Sequence, residues 1–275
     1  MKKLSVISIL IIIFLLIFLI NVKANETSRI VIDFEQFELS SNQPLTRQMF
    51  RENGINTSNW DNNLSTNGSI KAEPNGNKYL SIFSPEGSYG PKKSGLQTEI
   101  QIDPGKEYYM QYDLMFDENF SFGSEYRGGK LPGLTSGARC SGACDGTDGF
   151  AARFMWRRNG EGEVYLCHLD QVSEFCDDYY FTDEYGNRFE FEKGKKYTIS
   201  EYIRLNTDPQ VADGQIKVEV DGIPVLDISN IRLVTNDDKI DTFYLSMFYG
   251  GSTSKWAASN DSYVYIDNIY LYKIN

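Results

Sequence analysis

The stretch FAARFMWRRNGEGEVYLC, residues 150–167, decides how the chain is read. Two runs of alternating residues flank Arg158-Asn159-Gly160, the pattern of two antiparallel strands joined by a tight turn with glycine in the left-handed position. Alternation puts Phe150, Ala152, Phe154 and Trp156 on one face of the first strand, and Ala151, Arg153, Met155 and Arg157 on the other. The aromatic face is the expected core, so the arginine face looks outward or into a cleft. A three-residue turn then sets Arg157 opposite Glu161, Arg153 opposite Tyr165 and Ala151 opposite Cys167. The simplest use of such a face is a solvated surface with an Arg157–Glu161 ion pair.

The same period of two runs the length of the chain. It recurs in RIVIDF (29–34), KYLSIF (78–83), TEIQI (98–102), EYYMQYDLMF (107–116), RFEFE (188–192), KYTISEYIRLN (196–206), QIKVEVDGIPVLDI (215–228), TFYLSMFYGG (242–251) and SYVYIDNIYLYKI (262–274). With about ten strands, turn signals such as Asp221-Gly222 and no sustained helical period, the class is all-β, an antiparallel β-sandwich of jelly-roll type. The polar segment 40–77 reads as loop laid over the sandwich. The first and last strand patterns are expected to pair.

The amino terminus, MKKLSVISILIIIFLLIFLINVKAN, has two lysines, an apolar run and a small-residue pattern before Asn25. Residues 1–24 read as a cleaved secretory signal, with an uncleaved membrane anchor as the alternative. Residues 25–275 are then expected to form a single domain, secreted and monomeric, with no stable membrane contact once the signal is gone. Removing Lys2, Lys3 and Lys23 takes the formal charge from -11 to -14, because no acid leaves with them. That balance argues against nucleic acid as a partner. Six Asn-x-Ser/Thr sequons, at Asn25, Asn56, Asn63, Asn67, Asn119 and Asn260, predict a glycoprotein. Cys140, Cys144, Cys167 and Cys176 form an even set that suits disulfides in an oxidising compartment. The alternative, a metal site using His168, would need a cysteine spacing unusual for zinc. Of the three connectivities, 140–144 with 167–176 is preferred. No metal or other cofactor is expected.

Positive charge gathers in one place. EYRGGKLPGLTSG (125–137) reads as a glycine-rich loop carrying Arg127 and Lys130; with Arg139, Arg153, Arg157 and Arg158 the region faces only Asp145 and Asp148. An acidic sugar polymer has reason to bind there.

GGKLPGL, the cysteine loop, F-x-x-R-x-MWR-x-x-G-x-G-E-x-Y-L and SMFYGGSTSKWAASNDSYVYIDNI together resemble polysaccharide lyase family 14, the alginate and glucuronan lyases. The resemblance implies a β-jelly roll, metal-independent β-elimination of uronic-acid polymers and a site joining a lysine, a Ser-x-Arg and a Tyr-x-Tyr. Carried over, Lys130, Arg153 and Tyr165 are the catalytic candidates, and Ala151 and Cys167 fall at substrate-binding positions; Arg127 and Arg157 of the basic segment are the further substrate-binding candidates. Ala151 stands where the family has serine, and Cys167 where it has the second tyrosine. Cations beside Tyr165 are expected to lower its pKa and make it a usable base, with Lys130 as the other candidate. His168 falls on the opposite face and is expected to be structural. A catalytically inactive carbohydrate-binding protein on the same scaffold is the alternative reading. A glycoside hydrolase would need a carboxylate pair that the basic face does not offer.

Overall fold

The computed structural model describes residues 28–38, 44–123, 128–137, 146–235 and 237–275. In chain order the elements are β1 (Arg29–Ile32), α1 (Arg47–Glu52), β2 (Thr57–Asn62), α2 (Leu64–Asn67), β3 (Gly68–Ala72), β4 (Lys78–Ser84), β5 (Leu96–Gly105), β6 (Glu107–Phe116), β7 (Gly129–Gly137), β8 (Gly149–Trp156), β9 (Gly162–Cys167), β10 (Asp177–Tyr180), β11 (Lys196–Arg204), β12 (Gly214–Val220), β13 (Ile223–Ile231), β14 (Ile240–Tyr249) and β15 (Ser262–Lys273). They form two antiparallel sheets. One runs β13-β12-β11-β6-β15-β4-β3, with β1 added beside β15; the other runs β10-β9-β8-β7-β14-β5-β2. The first and last strands pair from Arg29 opposite Tyr272 to Ile32 opposite Ile269.

The core lies between the sheets and is built from the apolar half of each alternating strand. Met110, Tyr112, Leu114 and Phe116 of β6 meet Phe150, Ala152, Phe154 and Trp156 of β8 in one buried cluster. In β15 the alternation changes phase at a bulge between Asp267 and Tyr270. Asn268 takes the left-handed conformation there (φ 50°), so that Val264 and Ile266 before it and Ile269 and Leu271 after it all point inward.

Three expectations need correction. Segment 40–77 is not simply loop, because α1, β2, α2 and β3 fall within it; β2 and β3 extend opposite sheets. RFEFE forms isolated bridges, Glu190 with Glu161 and Arg188 with Thr182, rather than a strand. The GKLPGLTSG part of the predicted loop is β7, an inner strand between β8 and β14. Proline survives inside it because the register slips between Lys130 and Gly133, so the ladder does not need its missing N–H. The Tyr112 hydroxyl supports the slip from the core by donating to the Pro132 carbonyl at 3.2 Å. Gly133 is obligatory for packing: a Cβ there would lie 2.1 Å from the Ala152 carbonyl oxygen.

Candidate active site

The hairpin has the register its sequence implies, with Ala151 opposite Cys167 and Arg153 opposite Tyr165. Asn159 (φ 60°) and Gly160 (φ 91°) both take left-handed conformations in the turn. The arginine face is not a solvated surface, however. Ala151, Arg153 and Cys167 are fully buried and Met155 nearly so, under a second layer formed by loops above the sheet. A cleft of about 800 Å³ opens on this face, with Lys130, Met155, Tyr165 and Phe248 from the strands, Arg157 from the end of β8, and Tyr89, Lys92, Lys93, Phe175 and Trp256 from the segments around it.

Lys130 and Tyr165 line this cleft, and Arg153, across the ladder from Tyr165, is buried beside it. Lys130 Nζ lies 2.9 Å from the centroid of the Tyr165 ring and donates to Met155 Sδ at 2.7 Å. Arg153, with no exposed surface, stacks its guanidinium 5.2 Å from the Tyr244 ring. Burial drives the Lys130 pKa well below the usual lysine value, and the charges of Arg153 and Arg157 push the same way; Glu163 and Asp178 oppose them. An ammonium that is 8% exposed and faces two guanidiniums readily gives up its proton.

Tyr165 goes the other way from expectation. Its pKa is raised: burial, at 9% exposure, outweighs the pull of Arg153, and Asp178 adds to the rise. Its hydroxyl donates to the Phe175 carbonyl. The phenol therefore keeps its proton, which suits an acid rather than a base.

Arg157 lines the cleft, but its charge is largely spoken for. Its Nε donates to Glu163 Oε1 and its Nη2 to Asp178 Oδ1, both at 2.8 Å. Burial lowers its pKa, yet Glu163 and Asp178 more than offset this. The ion pair expected with Glu161 is replaced by these two; only the backbone N–H of Arg157 meets Glu161, donating to its carbonyl. Glu163 shares the face of Tyr165, is fully buried and lies within reach of the Arg157 guanidinium.

Cys167 is disulfide-bonded to Cys176, which closes a loop over the edge of the cleft. In place of a second phenol the chain carries this staple, and the Phe175 carbonyl that holds Tyr165 belongs to the same loop. His168, just beyond β9, is buried away from the cleft; its Nε2 lies 3.2 Å from Asp177 Oδ2 and its Nδ1 accepts from the Asp170 N–H. Arg127, Cys140 and Cys144 lie outside the described residues, as does the whole of segment 1–24.

Sequence reasoning missed several groups. Tyr244 and Ser246 share the cleft face of β14, and Gln97 Nε2 donates to both hydroxyls, at 2.6 and 3.0 Å. Extending the alternation argument from Arg153 across to TFYLSMFYGG would have found them. Lys92, Lys93 and Trp256 come from irregular loops, where no period gives a direction.

Residues 72–269 match the family described as polysaccharide lyase 14. The chain belongs to this family and is a polysaccharide lyase. Among solved structures, alginate lyase Aly36B is 27% identical, with a TM-score of 0.73 over 90% of this chain and 98% of that one. The marine PL-14 alginate lyase from Aplysia kurodai is also 27% identical, with a TM-score of 0.64 over 77% and 88%. A mutant of Aly36B in complex with alginate trisaccharide is similar at 25% identity, a TM-score of 0.70 and coverage of 90% and 99%. The endo-β-1,4-glucuronan lyase of the fungus Trichoderma reesei, at 15% identity and a TM-score of 0.51 over 80% and 92%, shares the fold. A search among curated proteins returns no match.

Proposed function

We propose that this chain is a secreted, monomeric, single-domain lyase that cleaves a uronic-acid polymer by β-elimination, with Lys130 as base, Tyr165 as acid and Arg153 as the buried positive charge that stabilises the anion developing beside them. The observation that carries the reading is the contact of Lys130 with Tyr165 in the cleft, Lys130 Nζ lying 2.9 Å from the Tyr165 ring centroid, with buried Arg153 across the ladder from Tyr165. Removing the proton at C5 is difficult while the neighbouring carboxylate is anionic; a fixed guanidinium buried beside the cleft offsets the charge that develops. Neutral Lys130 takes the C5 proton, the C4–O4 bond breaks as the C4–C5 double bond forms, and Tyr165 delivers its proton to O4. To do so its hydroxyl exchanges the Phe175 carbonyl for the sugar oxygen. Each cut leaves one new reducing end and one unsaturated uronate.

Base and acid sit side by side, so both approach the sugar from one face. In glucuronate and mannuronate units H5 and O4 lie on that same side of the ring, whereas in guluronate they lie on opposite sides. The arrangement therefore favours polyglucuronate or polymannuronate over polyguluronate. The Cys167–Cys176 disulfide and the signal-like residues 1–24 support secretion.

The test is the ultraviolet absorbance of unsaturated uronate on incubating the purified protein with each of the three polymers, beside Arg153→Ala. Absorbance is expected to rise fastest with the first two polymers and to disappear in the variant. Undiminished activity in Arg153→Ala would remove the assignment.

A further inference from the structure

One buried carboxylate in the cleft layer has no part in the elimination described above. Glu163 on β9 lies opposite Met155 on β8, and Met155 lies opposite Lys130 on β7. The three side chains thus form one transverse row on the cleft face, with the methionine sulfur against the lysine nitrogen. Glu163 has no exposed surface, and only Oε1 is engaged, by Arg157; Oε2 has no hydrogen-bond partner among the described residues. Burying a carboxylate with one oxygen unsatisfied is costly. Arg157 does not need it as its sole counter-ion, because Asp178 already holds the guanidinium from β10.

We propose that Glu163 is a positioning residue for the elimination, an anion anchored by Arg157 at the end of the row whose charge governs when Lys130 gives up its proton. The proposal rests on the reading of Lys130 as the base. The groups facing Glu163 are Arg157 from the end of β8, Asp178 and Tyr180 from β10, Lys130 from β7 and Tyr165 on its own strand. Among these, the Glu163 and Asp178 anions favour the protonated lysine, and Arg157, together with Arg153, favours the neutral one. Burial holds the Glu163 carboxyl up at about 7 in spite of Arg157. Above this value Glu163 is an anion and pulls Lys130 toward its protonated form, so the lysine gives up its proton at a higher pH than burial and the two guanidiniums alone would set.

Glu163→Gln imitates the protonated state at every pH and keeps the shape. In the absorbance assay the wild-type acid limb of kcat/KM is expected above about 7, where Glu163 is still charged, and in the variant to move down on the order of one pH unit, the size one nearby buried charge produces. Glu163→Asp, which keeps the charge, is expected to leave the limb near its original place. Asp178→Asn, at a more exposed position, is expected to shift it in the same direction by less. A raised KM or a lowered Tm in Glu163→Gln with an unmoved acid limb would mean that Glu163 only holds Arg157, and would overturn the proposal.

A second readout does not depend on turnover: the pH at which Lys130 reacts with a small acylating reagent, followed by peptide mass spectrometry. The midpoint is expected to be lower in Glu163→Gln. A lower midpoint in a protein that yields no unsaturated product would uphold the Glu163–Lys130 coupling while removing the lyase mechanism. An unchanged midpoint in an active enzyme would remove the coupling alone.

Discussion

At the scale of single residues, the site turns on burial winning over neighbouring charge. Tyr165 and Lys130 touch, and Arg153 is close to both. Proximity to cations alone argues for an acidic phenol, but at 9% exposure the loss of water raises the Tyr165 pKa more than Arg153 lowers it. Sequence could place the three residues together, because a period of two and a three-residue turn fix which side chains face each other. It could not say how deep they lie, since depth is set by the loops above the sheet. The same blindness made Arg157 look available for substrate, whereas Glu163 and Asp178 already hold it. From the assigned roles, Tyr165→Phe is expected to fold and to lower kcat by ~10²–10⁴, the usual worth of a positioned proton donor. Lys130→Arg should lose as much, because a guanidinium does not release its proton and cannot act as the neutral base. Steady-state kinetics on both variants checks the pair; activity retained in Lys130→Arg would exclude Lys130 as the base.

At the scale of elements, the largest difference between sequence and structure is β7. Three glycines and a proline around Lys130 argue for a loop, yet the segment is an inner strand whose register slip disposes of the proline. The signal was ambiguous because glycine serves close packing as well as turns. Gly133→Ala distinguishes the two: a loop glycine would tolerate the change, whereas here the new Cβ meets the backbone of β8 at 2.1 Å. A loss of about 2 kcal/mol or more in chemical denaturation is expected, in the range of forced overpacking. The disulfide across the 168–175 loop is the second element-scale feature. Replacing Cys167 and Cys176 together by alanine is expected to cost about 2–3 kcal/mol through the freed loop. It should also lower kcat, because the Phe175 carbonyl would no longer hold Tyr165 in place; thermal unfolding and kinetics on the double variant read the two effects separately.

At the scale of the whole molecule, fold class was the most legible property. Alternation along the chain set an all-β sandwich, and the two sheets follow it, including the pairing of the first and last strands. The short helices and β2 and β3 were not legible, because α1 has six residues and α2 four, too few for a helical period to show against polar surroundings. A chain of formal charge -11 presents Lys92, Lys93 and Lys130 at the same cleft, a local reversal of sign that suits an anionic polymer. As a polysaccharide lyase, the protein is expected to break its substrate chain by elimination at this cleft. The most direct measurement is the mass spectrum of the products released from an oligomannuronate or oligoglucuronate of defined length. Elimination adds nothing, so the masses of the two fragments should sum to that of the substrate, with one fragment unsaturated. Fragments whose sum exceeds the substrate by one water would show hydrolysis and contradict the account.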